Sequence, residues 1–397
     1  MTSTISPKMH KPKMYQWRNS NLEALRLFSM LLILFFNFPW DSNNIIAAST
    51  PLKSHILSST LTFLSNWGYI GSDLFIVLTC WFLCEQPQSI KTNLHRAWIL
   101  EFELLFYSYL TAVVYHVALS ASYTYTTYDW LIMLFPFSMT EWWYTTSYML
   151  FLFLVPFLTV GLRKIGPKFH GILAAGLIVV YGFLPSKPFV YDMDIPNNSF
   201  TVRLFLYIYI TVSFARWYLP NLLKSRKFGA FLIVGGLAFG LIAQLIMRIL
   251  AYDLFGKWWL FYPKNIPTLA VSLGLVIFAG TFPETHSRIV NRLASATLAV
   301  YLLFQGGLGG HFAAYTLGSF WGGSNGARLL LINIALAVAI YAACLLIDLL
   351  RQLVFTVTID KVETPLFEWA YSLVKKTLNR IMNSIMRTFG KRTEVSE

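Results

Sequence analysis

Apolar runs long enough to cross a bilayer recur along the chain, separated by short polar segments. The first follows a polar opening: from Arg18 to Asp41 the chain reads RNSNLEALRLFSMLLILFFNFPWD, one third polar and then almost unbroken apolar. Runs near 20 residues can each span a hydrocarbon core. The pattern predicts ten spans, approximately 22–40, 66–84, 97–119, 142–162, 169–185, 201–218, 228–250, 265–282, 294–314 and 327–350. The expected fold class is therefore all-α, a polytopic integral membrane helical bundle of about ten transmembrane helices. A polar leader (1–17) precedes the transmembrane domain (18–355), and a basic tail (356–397) follows it. In that tail Leu366, Ala370, Leu373, Val374, Leu378, Ile381, Ile385 and Phe389 recur at helical spacing. Opposite them stand Lys375, Lys376, Arg380 and Arg387, the pattern of an amphipathic helix on an anionic inner leaflet.

Composition agrees with this reading. The 397 residues are 56% hydrophobic and only 12% charged, half the charge of a soluble domain. The first apolar run lacks a small-residue cleavage site and is followed by further spans, so it does not read as a signal peptide. Cys80, Cys84 and Cys344 all lie in apolar segments, and CWFLC has neither disulfide nor zinc spacing. They read as packing residues, and no metal site is expected.

A net charge of +13 would suggest nucleic acid in a soluble protein. Here the placement of the charge decides otherwise. Of the 31 lysines and arginines, four fall in alternate loops (Lys53, Lys187, Lys257, Lys264) and five in or beside spans (Arg26, Arg203, Arg216, Arg248, Arg328). The remaining 22 share the other side with both termini, which the positive-inside rule makes cytoplasmic. The expected partner is membrane lipid, with no nucleic acid, and the expected location is a cell membrane crossed many times.

Polar groups inside such spans are expensive and mark candidate chemistry. Glu23 and Arg26 are three residues apart on one face of the first span and can neutralise each other. Asn37 follows on that face, about 16 Å beyond Arg26 at 1.5 Å per residue. Alternatively Arg26 snorkels to the headgroups and Asn37 caps the helix. In the second span, NWGYIGSDLFIVLTCWFLCEQ, Gly68 and Gly71 permit close helix approach and Asp73 should face a cavity, a partner or the water line. The third span opens through His95 and Arg96 and carries Glu101 and Glu103; spacing does not separate a structural from a site role for these two carboxylates.

The stretch SMTEWWYTTSYM offers Glu141, Trp142, Trp143 and Tyr148 either as an interfacial belt or as the lining of an outward-facing sugar site, since sugar faces stack on aromatic rings. A tight basic turn, RKIGPK, joins the fourth and fifth spans. In the ninth, Gln305 is a buried amide that needs partners, and in the tenth Asp348 and Arg351 can pair across one turn. His55, alone in a long polar loop, reads as solvated. No Walker loop, dinucleotide fingerprint, zinc motif or nucleophile elbow occurs. Nor do two halves repeat visibly, which weighs against a carrier.

The opening NLEALRLFSMLLILFFNF resembles the first span of the membrane acyltransferase family 3 proteins, in which an acidic residue, Leu-Arg and an apolar run lead to a histidine. The likeness continues through GSDLFIVLTCWFL, LFPFSMTEWWYTTSYMLFLFLVPFL, YPKNIPTLAVSLGLVIFAG, SATLAVYLLFQ and IDLLRQLVF, in order over roughly residues 18 to 355. The resemblance implies an O-acyltransferase of a bacterial cytoplasmic membrane. It would move an acyl group, usually acetyl, from acyl-CoA at the cytoplasmic side to a sugar or envelope polysaccharide, with acyl-CoA as substrate and no bound cofactor. Glu23 and Arg26 match the family's acidic residue and arginine, and with Arg96 are the candidate donor-binding residues; a guanidinium suits phosphate. Trp142, Trp143, Tyr148 and Gln305 are the candidate acceptor-binding residues.

Two positions depart from the family pattern. The first-span histidine is Asn37, and the ninth-span histidine position falls at Gln305 after Tyr301-Leu302-Leu303-Phe304. An amide does not take a proton from a hydroxyl as imidazole does, and general-base help is worth about 100-fold to 10,000-fold. Three readings follow: an enzyme with another base, Asp73 or Glu141, beside Asn37 as catalytic candidates; an impaired member that binds donor or glycan; or a polysaccharide carrier on the same scaffold.

Overall fold

A computed structural model describes residues 18–37, 67–119, 126–137, 142–183, 202–251, 264–305 and 326–393. Glu141 and His55 lie outside these residues, as do the side chains of Asn37 and Gln305. Every regular element among the described residues is helical: α1 Ser20–Asn37, α2 Trp67–Leu83, α3 Ile90–Leu119, α4 Thr127–Leu134, α5 Trp143–Leu177 with a π-helical end Ile178–Phe183, and α6 Val202–Tyr218. There follow a single helical turn Pro220–Leu223, α7 Arg226–Ala251, α8 Ile266–Gly280, α9 Arg288–Ser295, α10 Leu298–Gln305, α11 Gly326–Val357 and α12 Ile359–Thr393.

Three helical stretches among the described residues are long and apolar enough to cross a membrane: Ile90–Val114, Trp143–Phe183 and Ile334–Val357. Shorter apolar helices, Trp67–Leu83 and Ile266–Gly280, coincide with the expected second and eighth spans. The stretch Trp143–Phe183 has 41 residues, about 61 Å if straight, twice a hydrocarbon core. It is not straight. Gly166 has φ 74° and ψ 176°, and the two legs beside it run along α6 in opposite directions. On the first leg Phe151 stacks on Phe205 and Arg163 lies over Trp217; on the second His170 meets Trp217 and Tyr181 meets Tyr207. The basic turn between the expected fourth and fifth spans is this reversal, with Pro167 preset to start the second leg.

Gly166 occupies a backbone region that is essentially closed to residues with a Cβ. A Cβ added there meets nothing within 4 Å, so Gly166→Ala tests the backbone alone. The expected loss is about 1–3 kcal/mol, read as a lower midpoint of thermal unfolding in detergent, whereas Gly161→Ala, also in open space but inside the first leg, should hold or gain stability.

Helix α2 is buried nearly all round, as its unbroken hydrophobicity requires, between α1, α6 and α8. It meets α1 at the expected small residue. A Cβ on Gly71 would lie 2.6 Å from the Ser29 carbonyl oxygen and 2.8 Å from the Leu32 Cβ, so glycine sets the spacing of the two helices. The same device joins α7 to α8, where Gly229 and Gly274 face each other's backbone. Helix α1 also touches α8, α9, α10 and α11 and forms the post of the bundle. Its start is tied down by Ser20, whose N–H donates to the Thr285 carbonyl at 2.8 Å and whose hydroxyl donates to Asn291 Oδ1 at 2.8 Å. The three cysteines are buried and unpaired.

The tail is the expected long helix, and its beginning rests on α3. Trp98 donates its indole N–H to the Glu363 carbonyl at 3.3 Å, Lys91 pairs with Glu368 at 2.7 Å, and the His95 ring lies 4.6 Å from that of Phe367. Farther on, Leu373, Val374, Leu378 and Ile381 are exposed.

Candidate functional site

The starts of α1, α3, α5 and α10 and the ends of α2 and α9 surround a cavity of about 910 Å³ that opens at the basic end of the bundle, the end expected in the cytoplasm. That volume is at the upper end of the range for small-molecule sites. Each helix brings one face to it. Leu22, Glu23 and Arg26 come from α1, Phe75, Thr79 and Phe82 from α2, and Arg96, Ile99, Leu100 and Glu103 from α3.

The charges in this cavity are organised around Glu23, whose side chain is only 1% exposed. It receives Arg26 at 3.0 Å, the pairing expected from sequence, and Arg18 at 3.5 Å. Two guanidiniums thus converge on one carboxylate at that wall. The Arg26 guanidinium also lies 6.0 Å and 5.6 Å from the ring centres of Phe75 and Phe82, close enough for cation–π attraction. On α3, Arg96 is held by the amide oxygens of Asn93 at 2.9 Å and Gln86 at 2.6 Å. Those partners fix its direction and leave its charge unneutralised. At the rim Arg216 pairs with Glu85 at 3.4 Å and stacks 4.3 Å over Trp81.

Glu103 separates itself from Glu101 here. It lines the cavity and pairs with Arg351 at 3.1 Å, whereas Glu101 does not line it. Arg351 also donates to Asp348 at 2.6 Å, as expected, and Asp348 further accepts from Tyr107 at 2.6 Å and Gln352 at 2.7 Å. This buried network fastens α3 to α11 behind the cavity wall.

The floor is aromatic. Tyr144 and Tyr148 stack at 6.1 Å between ring centres, and the Tyr144 hydroxyl meets Thr79 Oγ1 at 3.4 Å. The Tyr144 backbone N–H donates to the Tyr301 hydroxyl at 3.2 Å, fastening α5 to α10. Past the floor lies a much smaller pocket, of about 10 Å³, bordered by Met30, Ile33, Ser72, Phe75, Trp143, Tyr144, Leu298 and Tyr301.

The structure thus brings Glu23, Arg26, Arg96 and Tyr148 into one cavity and places Trp143 just beyond its floor. Two candidates lie elsewhere. Trp142 is 2% exposed and donates its indole N–H to the Leu302 carbonyl at 3.1 Å, which makes it a packing residue and not an open sugar platform. Asp73 is fully buried, borders neither the cavity nor the small pocket, and has no hydrogen-bond partner on either carboxylate oxygen. It follows Ser72 by about 100° of helix, which turns it away from the face that carries Ser72, Phe75 and Thr79. Asn37 and Gln305 end α1 and α10. Sequence reasoning passed over Tyr144, inside the quoted aromatic cluster, and counted Arg216 only among the basic residues in or beside spans; the pairing of Tyr144 with Thr79 and of Arg216 with Glu85 joins different parts of the chain and left no trace in local spacing.

Among the described residues no group of three histidine, cysteine or acidic side chains could hold a metal ion. A family model described as an acyltransferase domain matches residues 19–349. No curated protein and no solved structure matches the chain.

Proposed function

The chain belongs to acyltransferase family 3, and from that membership we propose that it moves an acyl group, most simply acetyl, from coenzyme A to a hydroxyl of a sugar or envelope polysaccharide. The reading places it in a bacterial cytoplasmic membrane, with lipid, acyl-CoA and a glycan as partners. The observation that carries it is the cavity at the basic end, whose lining includes Arg26 from α1 and Arg96 from α3. Guanidiniums are the side chains suited to phosphate, and coenzyme A carries three phosphates at the end remote from its thioester. With those held at the mouth, the thin pantetheine arm runs inward towards Tyr144. Transfer breaks the thioester C–S bond and forms an ester C–O bond, while the proton of the acceptor hydroxyl ends on the coenzyme A sulfur. Asn37 orients a carbonyl or hydroxyl without taking that proton, and Glu141 is the proposed base, since Asp73, the other candidate, borders neither chamber. Trp143, Tyr148 and Gln305 are the proposed contacts of the acceptor.

Binding of coenzyme A to purified protein in lipid nanodiscs, followed by transfer of labelled acetyl to an envelope glycan, tests this reading. Arg96→Ala should weaken coenzyme A binding by about 10-fold to 100-fold with little change in the unfolding midpoint, because its partners are neutral amides that water can replace. Failure to bind coenzyme A, or the same affinity without Arg96, would overturn it. Asn37 and Gln305, in place of the family's histidines, favour a second reading: a member that binds donor without turnover. Donor binding with no transfer, and transfer appearing in Asn37→His, would establish that one.

A further inference from the structure

The small pocket beyond the aromatic floor shares Phe75, Tyr144 and Leu298 with the large cavity, so the two are consecutive chambers separated by those three side chains. The helices pass from one to the other in register. On α1 the cavity face is Leu22, Glu23 and Arg26, and the next residues of that face, Met30 and Ile33, border the pocket; on α2 Thr79 and Phe75 lead to Ser72. A ligand anchored by its charged end at Arg26 and reaching inward along α1 therefore arrives here.

The two volumes differ by nearly two orders of magnitude, about 910 Å³ against about 10 Å³. The smaller is close to what a single water needs. Its walls are mostly apolar; the Ser72 hydroxyl donates to the Gly68 carbonyl at 3.1 Å, and the Tyr301 hydroxyl accepts from the Tyr144 backbone. Met30 is 1% and Ile33 8% exposed, and the Tyr301 ring is braced edge-on by Trp143 and Tyr144. A methyl group fits such a space, and a longer chain meets packed side chains.

We propose that this pocket receives the acyl end of the donor and sets its length, with Met30 and Ile33 as the side chains that limit it to the two carbons of an acetyl group. The assignment rests on the coenzyme A reading above. It goes further in naming the specificity-determining residues, none of which bears charge or takes part in bond making.

Competition binding of coenzyme A, acetyl-CoA and butanoyl-CoA to the full chain in nanodiscs separates the two ideas. The natural protein should prefer acetyl-CoA to butanoyl-CoA at least tenfold, since one misplaced methylene in a tight pocket is worth about 10-fold to 200-fold. Met30→Ala should narrow that ratio to within about threefold. Ser72→Leu, which fills the pocket from α2, should remove the preference for acetyl-CoA over free coenzyme A and gives a second test should Met30→Ala not fold. If coenzyme A binds but acetyl and butanoyl donors are not distinguished, or neither variant moves its ratio, the pocket assignment is overturned and the donor cavity stands. If coenzyme A does not bind at all, both fall.

Discussion

Arg26→Met is expected to weaken coenzyme A binding about 100-fold and to cost about 3 kcal/mol of stability. Two physical effects act together. The first is the loss of a charge-assisted hydrogen bond to phosphate, worth about 1.5–3 kcal/mol, where 1.4 kcal/mol is a factor of ten. The second concerns Glu23. Its side chain is 1% exposed and rests on Arg26 at 3.0 Å and Arg18 at 3.5 Å, so removal of the nearer cation leaves a buried carboxylate poorly compensated. Two measurements separate the effects: titration with coenzyme A, and thermal unfolding without ligand. Arg26→Lys keeps the charge but loses the planar fork, and should fall between, with about a tenfold loss of affinity. If Arg26→Met unfolds at the natural midpoint and binds coenzyme A as before, the guanidinium neither supports Glu23 nor meets the donor.

Arg351→Met should be the most destabilising single change in the described structure, by about 3–5 kcal/mol. Among the described residues Arg351 is the cation that Glu103 and Asp348 share, at 3.1 Å and 2.6 Å, and Asp348 is fully buried. Without it two carboxylates stand unneutralised, Asp348 wholly out of water and Glu103 only 15% exposed at the cavity. The Tyr107 and Gln352 hydrogen bonds to Asp348 soften that loss without supplying charge. Adding Glu103→Gln to Arg351→Met should restore part of the midpoint, because one of the stranded charges is then gone. No recovery in the double variant would mean that Arg351 acts through its packing over Phe355, 4.9 Å away, and not through charge.

These two clusters show how far local pattern reaches. Glu23 with Arg26, and Asp348 with Arg351, are each three residues apart, and both form the pairs that helix geometry demands. The turn in RKIGPK was likewise legible, because glycine followed by proline between two apolar runs leaves few other conformations. Partners supplied by distant helices were not. Arg18, Arg26 and Arg96 belong to one cavity only because the starts of α1 and α3 border the same space. Glu103, and not Glu101, meets Arg351 because α3 presents that face to α11. Trp142 had the composition of a belt or a sugar platform. The carbonyl of Leu302, 160 residues away, turned it inward.

By itself the sequence determined the all-helical membrane character, the basic end and the family, since these depend on runs of apolar residues, on where lysine and arginine fall between them, and on ordered motifs. The tertiary structure alone decided which charges share a chamber, which aromatic rings close its floor and how small the space beyond is. Helix periodicity specifies the face on which a side chain stands, but only packing against another helix specifies what that face meets.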